Sequence, residues 1–400
     1  MSTAEGNHSA LRAAIVAAEA SGDLLGGHLI DAIRARAPDS RLFGVAGERM
    51  RAAGCEAWHQ SEDISVMGIA EVLPHLVRLI RLRRKVAERF IREKPDVFIG
   101  IDSPAFNLPI AARLRRAGIP TVQYVSPQVW AWRQSRVKEI REACDKVLCL
   151  LPFEPDFFAS HGVAAAFVGH PLADEIPETT DAVMARQALG VHAERPVLAL
   201  LPGSRGSEVS RLAHPFLETA AWLEQRVPGL QTVVAVANDR VAGAIRSACD
   251  KVNLTTQPLL AVGGARPVVG AADVVLTASG TAALETMLVK RQMVVAYRMA
   301  PLSYALIRRM GISRLPHYSL PNLLAGQEVA REFVQGQVRG DVLGPALLDC
   351  LEGRGPTRDW PSVFAQVHQS LRGGGSAAAA SQILAVARQS DAGGRRAADL

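Results

Sequence analysis

Residues 196–208 read PVLALLPGSRGSE, a short apolar run followed by a loop rich in glycine and serine. The run predicts a buried parallel strand, and the loop predicts the turn that opens the next helix. Such a helix start has free backbone N–H groups, to which an anion can bind. The segment therefore predicts an α/β fold with a phosphate cradle at Gly203, Ser204 and Arg205, whose guanidinium adds donors suited to phosphate oxygens.

A second segment, VVLTASGTAALE at 274–285, repeats this pattern. Its apolar run predicts another buried strand, and Ser279, Gly280 and Thr281 form the loop that follows. Glu285 lies one helical turn after Thr281, so its carboxylate could accept hydrogen bonds from two ribose hydroxyls. Either loop alone is also compatible with an ordinary strand-to-helix turn. Two such loops in one domain favour a nucleotide diphosphate as the ligand.

The rest of the chain alternates apolar runs with amphipathic helical patterns, which predicts doubly wound parallel sheets. A length of 400 residues exceeds what one core usually holds. We therefore expect two facing Rossmann-like domains with an interdomain cleft. The expected bounds are 1–175 and 176–365, followed by a C-terminal helix and a tail that frays from about residue 391, together 366–400. The clearest strands are predicted at 13–18, 41–45, 97–101, 121–125, 147–151, 197–201, 232–236, 274–277 and 293–296.

Composition narrows the class of protein. The five cysteines are scattered without metal-ligand spacing, which argues against disulfides and structural zinc and favours a reducing cytoplasm. No stretch approaches the roughly 20 apolar residues of a membrane span, and the N-terminus lacks a signal-peptide pattern. The Asp-x-Asp pattern of many nucleotide-sugar enzymes is absent from the sequence. We therefore expect a cytoplasmic protein that needs no metal ion and no other cofactor.

Basic residues are concentrated at 78–94, where they alternate with apolar residues at helical spacing, in a chain of formal net charge +6. This pattern predicts a basic amphipathic helix. Its polar face is either an ordinary solvated face or a contact with a membrane surface. Aromatic residues make up only 5% of the chain and no nucleic-acid-binding motif is present, so nucleic acid is not an expected partner.

Polar residues follow two predicted strands of the first half, where open α/β sheets bind ligands. Glu19 and Ser21 come after the first strand, and Glu19 is either a catalytic carboxylate or a helix-capping acid. Asp102 ends the strand at 97–101 and is a candidate general base, with an Asx turn as the alternative. Asn107, in the same segment, could bind a sugar hydroxyl.

Two tryptophans follow the strand at 121–125, in the segment YVSPQVWAWR at 124–133. Buried core aromatics are the ordinary interpretation of such a pair. Their position at the end of a strand instead favours an apolar-walled sugar or acyl site that includes Ser126 and Trp132. His170, between the two halves, is expected to be structural.

These segments together resemble the lipid-A-disaccharide synthase family of inverting glycosyltransferases. The resemblance runs in order over nearly the whole chain, from about residue 14 to residue 335. The matching segments are AEASGD (18–23), GIDSPAFN (100–107), YVSPQVWAWR (124–133), LPFE (151–154), FVGHPLAD (167–174), LPGSRGSE (201–208), ASGTAALE (278–285) and LPNLLAG (320–326).

The resemblance implies a GT-B fold and the lipid A biosynthesis of Gram-negative bacteria. It implies transfer of 2,3-diacylglucosamine from its UDP derivative to 2,3-diacylglucosamine 1-phosphate, which gives a β-1,6-linked disaccharide 1-phosphate and UDP. The acceptor side would be lined by Glu19 and residues 103–107. The basic stretch, with residues 66–68 before it, would contact acyl chains and the anionic inner membrane peripherally; a homodimer stays open. The UDP contacts implied are Arg205, Ser279, Gly280, Thr281, Glu285 and Asn322.

One position departs from the family pattern. The family's usual x-Pro-Asp-Phe-Asn segment carries its leading candidate for the catalytic base, and this chain has Ala105 at that position. Asp102 or Glu19 then takes the proton, or the base is not essential. The alternatives are a catalytically silent UDP-lipid-binding protein and another GT-B enzyme that uses a UDP-N-acetylhexosamine.

Overall fold

The computed structural model describes residues 10–61, 72–132, 134–300, 304 and 316–398. The chain forms two compact units, Met1–Asp174 with Leu371–Leu400, and Glu175–Ser370. Each unit is an α/β domain built on one parallel sheet, which confirms the predicted fold class. The expectation that the two domains face each other across a cleft stays a prediction.

The sheet of the first unit has seven parallel strands in the order β3-β2-β1-β4-β5-β6-β7. Its inner strands are mostly apolar because helices cover both faces of the sheet. The strands are β1 (Arg12–Ala17), β2 (Arg41–Ala46), β3 (Glu56–Gln60), β4 (Val97–Ile101), β5 (Thr121–Tyr124), β6 (Lys146–Cys149) and β7 (Ala165–Phe167).

The helices of this unit cover the two faces of the sheet. One face packs on α3, α4 and α6 through Phe90, Ile110 and Ile140, which are all fully buried. The other face packs on α1 and α2. The helices are α1 (Ala20–Arg34), α2 (Glu48–Ala52), α3 (Val72–Glu93), α4 (Pro104–Arg116), α5 (Val129–Trp132), α6 (Val137–Ala143), α7 (Glu154–Ala159) and α8 (Pro171–Glu175).

The second unit has a six-stranded parallel sheet in the order β10-β9-β8-β11-β12-β13. Its strands are β8 (Val197–Leu201), β9 (Gln231–Val236), β10 (Leu259–Val262), β11 (Val274–Ala278), β12 (Gln292–Tyr297) and β13 (Arg331–Val334). Its helices are α9 (Ala182–Leu189), α10 (Gly206–Glu224), α11 (Asp239–Cys249), α12 (Ala265–Ala271), α13 (Thr281–Leu288), α14 (Leu320–Ala325), α15 (Gly340–Leu351) and α16 (Trp360–Leu371).

The last helix, α17 (Gly375–Ala398), belongs to the first unit. It buries Ala379, Ala380 and Ile383 in the same core as Leu29 and Ile33 of α1. Its backbone stays helical to residue 398, beyond the point near residue 391 where the sequence indicated fraying.

Both sheets reverse their strand order at one point. In the first sheet β1 lies between β2 and β4, and in the second β8 lies between β9 and β11. Loops on either side of such a switch point diverge and leave a crevice beyond the carboxyl ends of the strands. Each unit therefore has one position at which its fold favours a binding site.

Candidate active site

A cavity of about 260 Å³ lies at the switch point of the second sheet. Its walls are the carboxyl ends of β8, β9 and β11 and the first residues of the helices α10, α12 and α13. The structure brings together here the two loops that the sequence singled out. The predicted residues that line the cavity are Gly203, Ser204, Arg205, Ser279, Gly280 and Thr281.

Three helix starts border this cavity. Arg205, Gly264 and Gly280 are the N-cap residues of α10, α12 and α13, and none of them makes a side-chain cap bond. The first N–H groups of these helices are thus available to an anion, and the peptide dipoles favour negative charge there. The backbone of Gly280 has φ 142°, and a Cβ added to it would meet no atom within 4 Å. Glycine here keeps the floor of the cradle open.

Arg205 is placed to bind an anion. Its side chain is 71% exposed, and its closest acidic partner is Glu208, with 3.8 Å between Nη1 and Oε1. This long, exposed ion pair contributes little to stability, so a ligand can replace it at small cost. The guanidinium offers five N–H donors in a fork that suits phosphate oxygens.

Glu285 lies beside the cavity rather than in its lining. Its carboxylate is 16% exposed and pairs with Arg266, at 3.4 Å from Nε to Oε1. Burial raises the pKa of Glu285, and the Arg266 charge opposes that rise. A role on the ribose hydroxyls stays a prediction.

Asn322 is fully buried and its amide is completely used within the protein. Its Nδ2 donates to the carbonyl of Ala330 at 2.7 Å and to Glu332 at 2.9 Å. Its Oδ1 accepts from the N–H groups of Val329 and Ala330, at 2.8 and 2.9 Å. The side chain of Asn322 therefore holds the segment after α14, and the expected contact with UDP stays a prediction.

A third loop of the cavity, at Gly264 and Ala265, was missed by the sequence analysis. The sequence pattern of a strand was weak here, since β10 has only four residues and their side chains are exposed or half-buried. Gly263 and Gly264 directly after it both have φ 118°, which glycine adopts without strain. A glycine pair between a short apolar run and a helix start would have identified this loop.

The switch point of the first sheet brings Glu19 and Asp102 together. Ala17, the last residue of β1, pairs with Ile101, the last of β4, so the two loops start side by side. The Ser21 hydroxyl donates to Asp102 at 3.4 Å, and the Ser103 hydroxyl donates to Glu19 at 3.2 Å. Each loop thus orients the carboxylate of the other, as a pair of candidate proton acceptors requires.

Asp102 and Ser103 have φ of 50° and 38°, a left-handed conformation that costs energy in residues other than glycine. Two buried side chains hold this turn. Asn107 and Gln123 both donate to the carbonyl of Asp102, at 2.8 and 3.0 Å. The buried amide nitrogen of Asn107 thus positions the Asp102 turn, and the prediction that Asn107 binds a sugar hydroxyl stays a prediction.

Ser126 is also structural in the described conformation. It is buried, and its hydroxyl donates to the carboxylate of Glu154, which also accepts from Trp130 Nε1 at 2.9 Å. Burial raises the pKa of Glu154, and these hydrogen bonds oppose the rise. Ser126 is thus a buried link between β5 and α7, and its predicted contact with substrate stays a prediction. The side chain of Trp132 lies outside the described residues, so its predicted role is unchanged.

The basic helix α3 exposes apolar side chains among its cations. Val77 is 51% and Ile80 is 45% exposed, in a row with Arg81 and Arg84. Helices that lie in a membrane interface have such an arrangement, and a membrane contact of α3 stays a prediction. In the described part of the chain, no helix has the length and apolarity to cross a bilayer. Residues 66–68, predicted to extend this surface, lie outside the described residues.

Comparison with known proteins identifies close relatives. A family model described as "Lipid-A-disaccharide synthetase" matches residues 13–374. The lipid-A-disaccharide synthase of Xanthomonas campestris pv. campestris is 44% identical over 386 residues, covering 96% of this chain and 87% of its own. The enzyme of that name from Xylella fastidiosa is 43% identical over 382 residues, covering 94% of this chain and 98% of its own.

Among solved structures, MurG of Acinetobacter baumannii aligns with a TM-score of 0.55 at 13% identity, over 93% of this chain and 98% of its own. At that identity the likeness shows the fold alone, which is the GT-B fold of two parallel-sheet domains.

Proposed function

The chain belongs to the lipid-A-disaccharide synthase family, and we propose that it joins two acylated glucosamines on a membrane surface. It is a hexosyltransferase. The donor is UDP-2,3-diacylglucosamine, the acceptor is 2,3-diacylglucosamine 1-phosphate, and the products are the β-1,6-linked disaccharide 1-phosphate and UDP. The observation that carries the proposal is the family match over residues 13–374, which includes both switch points. A silent UDP-lipid-binding protein and an enzyme for UDP-N-acetylhexosamine are not favoured by relatives at 43–44% identity.

The cavity of the second unit supports a role as the UDP site. Helix starts and Arg205 would stabilise the negative charge that develops on the diphosphate as the sugar leaves. Their N–H groups are fixed before the reaction, so little reorganisation opposes bond breaking. Metal independence stays a prediction, and equal activity with and without EDTA would support it.

The carboxylates of the first unit support a role in proton removal. In our proposal Asp102 accepts the proton of the acceptor 6-hydroxyl as that oxygen attacks the anomeric carbon from the face opposite UDP. Glu19 is the second candidate, because hydrogen bonds link its loop to that of Asp102. The Ser21 hydroxyl donates to Asp102, and the Ser103 hydroxyl donates to Glu19. Ala105 carries no group that could take this role.

The exposed face of α3 supports peripheral binding to anionic lipid. Its cations would attract the phosphates of the membrane, while Val77 and Ile80 would enter the acyl boundary. Both sugar substrates carry acyl chains, so this placement would bring the enzyme to them.

UDP release is the test. The protein is mixed in detergent micelles with the acylated donor and acceptor, and in parallel with unacylated UDP-N-acetylglucosamine. We expect UDP release only when both acylated substrates are present. Release from the unacylated sugar, or UDP binding without any turnover of the acylated pair, would overturn the proposal in favour of one or the other alternative.

A further inference from the structure

Arg83 differs from the other cations of α3 in its position on the helix. It lies three and four residues before Val86 and Ala87 and seven before Phe90, so it shares the face that packs on the domain core. Its side chain is half-buried, whereas Arg81, Arg84 and Lys85 are exposed. A charged residue on a packed helix face normally has a partner of opposite charge.

Among the described residues, Arg83 has no such partner. Nη1 of Arg83 donates to the carbonyl of Ala105 at 3.4 Å, a long hydrogen bond to a neutral oxygen. Arg84, by contrast, pairs with Glu88 at 2.9 Å. Within the described ranges, no carboxylate lies within ion-pairing distance of Arg83. Most donors of its guanidinium are therefore available to a ligand.

The contact places this cation beside the candidate catalytic turn. Ala105 is the second residue of α4 and follows Asp102 and Ser103, whose left-handed backbone the buried amides hold. The residue that Arg83 contacts carries a methyl group, so the turn itself does not neutralise the guanidinium. An anion that arrives with the substrate would do so.

We propose that Arg83 binds the phosphomonoester of the acceptor substrate. This rests on the proposed function, in which the acceptor has its attacking hydroxyl at one end of the sugar and its phosphate at the other. The guanidinium of Arg83 contacts Ala105, three residues after Asp102, so a carboxylate and a cation are available beside the same turn for those two ends. The planar fork of arginine matches phosphate oxygens, and Arg83 belongs to the first unit. Arg83 would thus select phosphorylated acceptors.

The kinetic test compares two acceptors in neutral detergent micelles, diacylglucosamine 1-phosphate and diacylglucosamine without the phosphate. Arg83→Gln should lower kcat/KM for the phosphorylated acceptor by about ten- to a hundred-fold and leave the other acceptor unaffected. Arg83→Lys, which keeps the charge without the fork, should fall in between. The matched control is Arg116→Gln, an equal charge change at the exposed end of α4.

Equal losses with both acceptors would overturn the proposal, because Arg83 would then only brace the Ala105 turn. A loss that appears only on anionic vesicles would also overturn it and assign Arg83 to lipid headgroups. A second measurement needs no turnover, so it still tests the Arg83 site if the proposed reaction fails. In it, glucosamine 1-phosphate is titrated with protein and the broadening of its phosphorus NMR signal is followed. Broadening by the wild type and Arg116→Gln but not by Arg83→Gln supports the site, and equal or absent broadening in all three refutes it.

Discussion

Replacing Arg205 by alanine should weaken UDP binding without destabilising the protein. In the unliganded chain its side chain is 71% exposed and its ion pair with Glu208 spans 3.8 Å, so the pair contributes at most about 0.5 kcal/mol. In the complex, one charge-assisted contact to phosphate contributes about 1.5–3 kcal/mol. Because the helix starts remain, we expect a loss of affinity of about ten- to a hundred-fold rather than abolition of binding.

Titration calorimetry with UDP, UMP and uridine separates the phosphate contribution from the rest. The affinity loss should be largest for UDP and absent for uridine, while the melting temperature should shift by less than about 2 °C. Arg211→Ala is the matched control, since Arg211 lies on the same helix and its guanidinium donates to the carbonyl of Ser207. Unchanged UDP affinity in Arg205→Ala, or an equal loss with uridine, would refute the assignment of this cavity to the diphosphate.

Three further results follow from the geometry. Asp102→Asn should lower turnover by about 10²–10⁴-fold at nearly constant UDP affinity; full activity in that variant with loss in Glu19→Gln would move the base to Glu19. Burial lowers the pKa of His170 from 6.5 to about 4, so its neutral form stabilises the fold above pH 6.5 and that contribution disappears as pH falls toward 4. His170→Asn should therefore reduce the drop in unfolding free energy across that window by about 3 kcal/mol, measured by urea melts at each pH. Salt-sensitive cosedimentation with anionic vesicles should be lost, with UDP affinity intact, when three exposed cations are changed to glutamine together: Arg81, Arg84 and Lys85.

The sequence predicted the inner strands of both sheets and missed the outer ones. Every strand expected from an apolar run is present, with bounds that differ by at most two residues. The four that were missed, β3, β7, β10 and β13, are the edge strands of the two sheets. An edge strand is covered less completely, so its residues need not be apolar, as in β3 and β13, whereas the apolar runs of β7 and β10 are only three and four residues long. The β3 sequence EAWHQ is an example.

The predicted residues that line the cavity of the second unit belong to local backbone patterns. Glycine-rich helix starts identified Gly203 and Gly280, because the N–H groups that form the cradle belong to the same short segment. The hydrogen bonds of Asn107, Ser126 and Asn322 within the protein were not predictable, because their partners are set by the fold. An amide or hydroxyl near a strand end has the same sequence signature whether it faces a ligand or braces a turn, and burial decides between the two.

The hydrogen bond from Arg83 to the carbonyl of Ala105 links our proposals for these two positions. An aspartate introduced by Ala105→Asp would place a carboxylate on the residue that Arg83 already contacts. As a proton acceptor it should raise kcat, and as a counterion to Arg83 it should compete with the acceptor phosphate and raise KM. The two effects separate kinetically, since the rise in KM should vanish with an unphosphorylated acceptor while the rise in kcat should persist. An unchanged KM for the phosphorylated acceptor would mean that the two side chains act independently, and Arg83 would then need a different ligand.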